Sequence, residues 1–546
     1  VPGEVAEVSG DITTTTWTTG YVYHVVDDVT VPENNTLTIN AGVRVKFLEG
    51  KGMVVNGKLI ANGTEEENII FTSKEPTPTP GDWDNLELYG RDNQISYLKY
   101  DYATNGITGS GVDHTTIDNV IMQGTLALNS YGIDFSSGDS LTLTNNELTV
   151  GAIGIRANAA SYSLIQNNDL TAPNDGINIQ NCNFCIVQDN NISFTESDYT
   201  NFGIRAPNSQ QITIYNNNIT AEIKGIEAYQ GFKQTITSNR ILGKIYEGGI
   251  ILVDSDSSII LDNYVHRVGH TWNSDPFIDG NGSEGSLYER DTVIYEKEIG
   301  NTNNTRYTLA KISNSIFKNN RLEYLDENNY GGSSYSQLLW DLQSSTIESN
   351  YFKNLYPEYD ESYNDAADLR VWASLEGDSV HIKNNTFETN GSRYNNSTKP
   401  QIRINGDRSL VNLHGNTMTY KPSTNDQNRH LNNNVVLISM GTTRLSIKNN
   451  TIDARTVTHV MNINHIDSCR FEDNYINQSG EGSLVSLHHS NIELYNNSLT
   501  RTRGHYYTIL GNTSNVDMRF NNITTTGDGI YIGNQSTGQI RNNTII

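Results

Sequence analysis

Cysteine is nearly missing from these 546 residues, with Cys182, Cys185 and Cys469 the only three, and so few exclude a disulfide framework. Cys182 and Cys185 have CxxC spacing, but no second Cys or His pair stands near enough to complete a zinc site, so they read as small core or turn residues. Basic charge is also short. The chain carries 37 Lys and Arg against 62 Asp and Glu, a net charge of −25, which excludes nucleic acid as a partner and favours divalent cations at the solvent face. No run of 18 apolar residues occurs, so no helical membrane span is expected. The opening Val1-Pro2-Gly3-Glu4 lacks a charged and apolar leader, which fits an exported chain with its signal already removed.

Asparagine is what the chain has in plenty, and it recurs with a period. Asn-Asn or a close variant, followed by an aliphatic residue, places one Asn at 146, 168, 190, 217, 239 and 263, and again at 320, 350, 385, 416, 450, 474, 497, 521 and 543. The intervals of 22, 22, 27, 22 and 24, and later of 24, 23, 24 and 22, define coils of similar length. A coil that short buries apolar side chains only against its neighbours above and below. The fold class is therefore all-β: a single-stranded right-handed parallel β-helix with Asn ladders, roughly 20 turns in a rod on the order of 100 Å. Asn suits the bend because it tolerates left-handed backbone and because its amide bonds to the same Asn one turn away.

Residues 1–28, with Trp17, Tyr21 and Tyr23, are read as N-terminal cap strands, and 29–546 as one continuous β-helix. Loops are expected at about 74–82, where Pro76, Pro78 and Pro80 interrupt the ladder, at 266–312 and across 320–450. The 57 residues between Asn263 and Asn320 allow two turns and an insertion of about ten. The following intervals of 30, 35, 31 and 34 mark coils with long loops, and that side is taken as the working face.

The run Leu37 to Phe47, the turn-rich stretch Val55 to Thr64, Ile70 to Ser73 and Gly81-Asp82-Trp83 resemble the opening coils of secreted right-handed parallel β-helix repeat proteins. The later Asn-Asn-x-Ile coils are similar to the same pectate-lyase-like superfamily, especially archaeal and bacterial surface proteins. The resemblance covers nearly the whole chain and implies fold and export. It leaves activity open, since the superfamily holds lyases, hydrolases, epimerases, adhesins and structural proteins.

Alternation along the loop-bearing coils puts Arg370 and Trp372, Arg403 and Asn405, and Asp341 outward, a patch suited to a polysaccharide or to an assembly interface. No catalytic residue is assigned. Val268-Gly269-His270 and Gly504-His505 lack the aspartates of pectin-type hydrolases, Asp341 meets Asp368 or Asp407 only by assumption, and His381, His414 and His430 read as solvated loop residues. Asp279, Asn281, Ser283 and Glu284 alternate like the start of a calcium loop, although Glu284 stands where such loops have Gly. Calcium is the one cofactor expected, with no organic cofactor. Sequons at Asn34, Asn62, Asn191, Asn218, Asn281, Asn303, Asn390, Asn477, Asn512 and Asn534 point to an extracellular glycoprotein.

The chain ends in mid-repeat at Ile540 to Ile546, which suggests an edge covered by more protein or by another copy. The first functional expectation is a structural or adhesive cell-surface protein, self-associating as a surface-layer, sheath or filament subunit. The alternative is a carbohydrate-active enzyme or glycan-binding protein using residues 320–450.

Overall fold

The computed structural model describes residues 3–123, 130–195, 201–245, 247–268, 276–296, 306–325, 335–341, 345–355, 367–373, 379–390, 400–406, 410–421, 434–440, 444–455, 459–504, 506–533 and 535–546. The chain forms two compact units, Val1–Ile259 and Ile260–Ile546. Among the described residues each is built from short strands without a helix.

In the first unit a coil holds three strands, as in Thr142–Thr144, Glu147–Thr149 and Ile153–Ala157, and the next coil repeats them at Leu164–Gln166, Asp169–Ala172 and Asp175–Asn178. Every strand pairs in parallel with its equivalent one coil on: Leu143 with Ile165, Leu148 with Leu170, Ile155 with Ile177. Those six side chains all point inward and are buried, so the core is a stack of aliphatic rungs. Near the start, Trp17 is buried and stacked on Tyr23 at 4.5 Å, and the strand Tyr21–Val31 runs through residue 28. Phe47 and Trp83 stack at 4.0 Å just beyond the proline-bearing loop.

The Asn ladder is present, and its bonding is more specific than the repeat alone conveys. Asn168 Oδ1 accepts from the backbone N–H of Asn146 at 3.0 Å and from Asn146 Nδ2 at 2.8 Å, while Asn168 Nδ2 donates to Leu143 O at 3.0 Å. Asn190 and Asn217 repeat the pattern, and each rung amide is about 99% buried. Leaving one such donor or acceptor unpaired costs about 1–3 kcal/mol, so the ladder fixes the register of every coil. The left-handed conformation belongs to a different residue. It falls on the one before the rung, at Asn145 (φ 55°), Asn167 (φ 55°), Asp189 (φ 57°) and Asn216 (φ 52°). The first Asn of a pair turns the chain; the second carries the bonds.

A second periodic feature of this unit is glycine. Gly132, Gly154, Gly176, Gly203 and Gly225 sit one residue before the inward Ile133, Ile155, Ile177, Ile204 and Ile226. A Cβ on Gly203 would stand 2.5 Å from Gly225 O and 2.5 Å from Ile219 Cγ2, so backbone occupies the space a side chain would need. The Gly-Ile pair recurs at the coil period, a signal the ladder reading passed over.

The second unit repeats the plan with larger side chains. Phe277, Leu309, Leu338, Asp368, Gln401 and Val435 precede the inward residues Ile278, Ala310, Leu339, Leu369, Ile402 and Val436, and all are buried. Both residues of each pair therefore face the core, and strict alternation fails there. A serine ladder runs along another corner, with Ser286 N–H on Ser315 Oγ (3.3 Å) and Ser315 N–H on Ser345 Oγ (3.2 Å).

The interval from Asn263 to Asn320 contains a rung of another kind. Asn263 donates both its backbone N–H and its Nδ2 to Asp291 Oδ1 at 2.9 Å, and Asp291 N–H donates to Asn320 Oδ1 at 2.8 Å. Two turns fill the gap, as the length implied, with Asp291 in the place of asparagine. Its Oδ2 is buried without a hydrogen-bond partner, and burial pushes the carboxyl up to about 7. An asparagine rung there would use Nδ2 to donate, as Asn320 does to Tyr288 O at 3.0 Å.

Candidate functional site

The loop-bearing coils contribute the strands Arg306–Ile312, Tyr335–Asp341, Leu369–Ala373, Ile402–Gly406 and Asn434–Met440, paired in parallel one after another. Their register sets Asp279, Lys311, Trp340, Arg370, Arg403 and Leu437 level on consecutive rungs, in one outward row. Trp372 and Asn405 are level with each other two residues further along. Four of the five residues expected in the patch are thus brought together. Asp341 is the exception: it pairs with Val371, and Trp340 takes the place beside Arg370. The cause is the double inward step at Leu338-Leu339, which shifts alternation by one residue.

Within the row Trp340 lies between two cations, Lys311 and Arg370. Lys311 Nζ lies 5.3 Å from the Trp340 centroid, and the Arg370 guanidinium lies 5.1 Å from it and 5.4 Å from the Trp372 ring. Such contacts hold each ring upright, at about 0.5–1 kcal/mol each where exposed. Trp372 is 42% exposed, a flat apolar plate in solvent, while Arg370 and Arg403 are half-buried at its side. Trp340 Nε1 is buried and makes no hydrogen bond among the described residues. A plate flanked by guanidinium forks suits a sugar ring bearing carboxylates.

The residues considered for catalysis go elsewhere. Asp368 points inward and is 1% exposed, accepting from Asn354 Nδ2 at 2.6 Å and Thr389 Oγ1 at 2.7 Å, so it meets no outward carboxylate. His381 and His414 are on strands, half-buried, with ring nitrogens 2.9 Å from Asn412 Nδ2 and 2.8 Å from Ser446 Oγ. Burial and neighbouring lysines hold both below the ordinary histidine value. Asp407, His270, His430 and His505 lie outside the described residues.

In the proposed calcium segment, Asp279 Oδ1 accepts the Asn281 N–H at 3.0 Å, and the buried Ser283 has its carbonyl bonded by Ser315 Oγ at 3.1 Å. Asp279 and Ser283 are engaged in the corner of the coil, and Glu284 is exposed. Burial raises the Asp279 carboxyl above its ordinary value. Among the described residues no three His, Cys, Asp or Glu side chains converge on a point that would hold a metal ion. The three cysteines are buried and free, with Cys182 Sγ on Ala157 O at 3.1 Å and Cys185 Sγ on Ala160 O at 3.0 Å.

Of the sequon asparagines, Asn34 and Asn62 are exposed at turns or strand ends; Asn191 is exposed but bonded to Asp169; Asn218, Asn281, Asn477 and Asn512 are half-buried. Asn303 and Asn534 lie outside the described residues, as does the side chain of Asn390.

Strand order, ladders and parallel register together define the class of fold: a right-handed parallel β-helix. Residues 10–110 match the model of the pectate-lyase-like β-helix domain, and residues 88–281 match that of the periplasmic copper-binding protein NosD. No curated protein matches the chain in sequence. Among solved structures it is similar to gene product 12 of bacteriophage phi29, at 10% identity and TM-score 0.38, over 94% of this chain and 69% of that one. DFA-IIIase of Arthrobacter chlorophenolicus A6 matches at 10% identity and TM-score 0.31, over 60% and 82% of the two chains. A PL6 family alginate lyase, AlyGC, matches at 10% identity and TM-score 0.30, over 95% and 100%.

Proposed function

We propose that the protein works outside the cytoplasm as an adhesive or structural β-helix that binds an acidic polysaccharide along the Lys311–Trp340–Arg370–Arg403 row. The observation that carries this reading is the register, which lines up three cations and a tryptophan at one residue per rung, about 4.8 Å apart, with Trp372 standing exposed beside them. A polymer with regularly spaced carboxylates matches such a row. The net charge of −25 repels an anionic chain from most of the surface, and the row is a local strip of cations where attraction acts.

Titration calorimetry with polyuronate and with a neutral glucan tests the reading. Saturable, salt-sensitive binding of the polyuronate is expected, weakened about tenfold by Arg370→Ala and by Arg403→Ala, with no new reducing or unsaturated ends. Absence of binding, or indifference to both substitutions, refutes it; release of new ends makes the protein a lyase or hydrolase instead. Assembly into a surface layer, sheath or filament is the further step of the same reading, and electron microscopy of purified protein with the polysaccharide tests it.

A further inference from the structure

The motif Cys182-Asn183-Phe184-Cys185 occupies a corner of one coil, and its two thiols face inward, 0% and 1% exposed. Both touch Ala160 of the coil before: Cys182 Sγ accepts its N–H at 3.4 Å, and Cys185 Sγ lies 3.0 Å from its carbonyl oxygen. The two thiols are also hydrogen-bonded to each other. A turn brings them together, with Asn181 (φ 55°) and Phe184 (φ 57°) in the left-handed conformation. That turn is at the surface: Asn181, Phe184 and Ile186 are exposed, and the Phe184 ring stacks on Tyr162 at 5.1 Å.

The coil does not call for cysteine at either place. Ser209, one coil on from Cys182, accepts the Cys182 N–H at 3.0 Å and donates to Ile179 O at 2.9 Å, as Cys182 Sγ donates to Ala157 O at 3.1 Å. Ser163 is level with Cys185 one coil back and accepts the Leu141 N–H at 3.0 Å. A hydroxyl fills such a rung with a stronger hydrogen bond than a thiol, so what sulfur adds is its chemistry. The surroundings favour a thiolate at Cys185: the Cys182 S–H and the backbone N–H groups of Ser163 and Tyr162 hold its thiol below the ordinary value, against the opposing effect of burial. The same bond, together with burial, pushes Cys182 above it. Cys182 has one S–H, which serves Ala157 O while Cys185 is neutral and serves Cys185 once it ionises.

We propose that Cys182 and Cys185 are a reversible dithiol–disulfide couple, in which Cys185 attacks a small external disulfide and Cys182 resolves the mixed disulfide. In the first step the Cys185 thiolate bonds to one sulfur of R–S–S–R, the external S–S bond breaks, and one thiolate R–S⁻ leaves. In the second, Cys182 gives up its proton and attacks Cys185 Sγ, closing the bond within the chain and releasing the second R–S⁻. The two cysteines lose two electrons and two protons, and the external disulfide is reduced to two thiols. Oxidation takes from Ala157 O and Ala160 O the S–H groups that lie against them, so the closed form is the less well bonded and external thiols reopen it. The couple is independent of the polysaccharide row, which belongs to the other unit.

Incubation of the native full chain with oxidised glutathione, followed by a count of thiols after denaturation, tests the couple. A fall from three thiols to one is expected, with a mass lower by two hydrogens, and a return to three on adding excess reduced glutathione. Cys469, 2% exposed and with its thiol pushed up by burial, stays reduced; an oxidant that enters only by global unfolding reaches it as well. Serine keeps the hydrogen bonds of the rung, and melting curves matching the parent verify that each serine variant is folded. Cys182→Ser is expected to trap glutathione on Cys185, and Cys185→Ser to form its adduct on Cys182 at least about tenfold more slowly. Three thiols after incubation, loss of Cys469 at the same rate, equal adduct rates in the two variants, or a disulfide that excess reduced glutathione leaves closed overturns the proposal.

Discussion

Replacing Asp291 by asparagine should stabilise the second unit, and only at neutral or alkaline pH. Asp291 holds a ladder position in which Oδ1 accepts twice from Asn263 while Oδ2 has no partner. Asparagine rungs use the second atom to donate to a carbonyl one coil back, and a carboxylate does so only while protonated. The folded chain keeps that proton up to about pH 7, whereas the unfolded chain releases it near the ordinary 3.8. A raised folded value means that the stabilisation is complete below about pH 4, declines as pH climbs, and is fully lost above about pH 7. At 1.36 kcal/mol per pH unit the span amounts to about 4 kcal/mol. Asp291→Asn removes the titration and supplies the missing donor. Guanidinium unfolding of parent and variant between pH 4 and pH 8 measures it: nearly equal stabilities at pH 4, and at pH 8 a variant more stable by up to about 4 kcal/mol, with slower amide exchange at Asn263 and Asp291. A stability difference that does not change with pH, or a variant that is weaker at pH 8, refutes the assignment of Asp291 as a protonated rung.

Asn168→Ala strips two accepted and two donated bonds from the ladder and strands the Asn146 donors and Leu143 O; a loss of about 3 kcal/mol or more is expected in chemical denaturation of the first unit. Gly203→Ala places a methyl group against Gly225 O and Ile219, and a loss of about 1–3 kcal/mol is expected in the same assay, whereas Ala at the exposed Gly10 meets no atom within 4 Å and pays mainly for its φ of 67°. Trp372→Ala, at an exposed ring, is expected to change stability by less than about 0.5 kcal/mol while weakening polyuronate binding severalfold in calorimetry.

The architecture was legible because a solenoid writes its geometry as a period, and Asn146 through Asn239 and Asn450 through Asn543 recur near that period, with longer coils between. What the period hid were substitutions within it. Asp291 does the work of a rung, but a search for asparagine steps over it and sees only a long gap. The Asn-Asn pair conceals which member turns and which bonds, since both residues suit either task; the dihedral angles at Asn145 and Asn167 separate them. The outward row was half legible. Alternation holds from Leu369 to Trp372 and from Ile402 to Asn405, so Arg370, Trp372, Arg403 and Asn405 fall where the pattern puts them. It fails at Leu338-Leu339, where consecutive residues both enter the core, and Asp341 was exchanged for Trp340. In the first unit the Gly-Ile pairs break the period of two in the same way at every coil, so its outward residues do not follow alternation.

The ladder also has a sense of travel. In the asparagine rungs the amide and backbone hydrogens of one coil reach forward to a single oxygen supplied by the coil that follows, from Asn146 to Asn168 and from Asn497 to Asn521. A half-built column therefore always ends, on its later side, in two hydrogens awaiting one acceptor. The next segment of the chain carries that acceptor, so each turn presents to its successor an edge of fixed polarity.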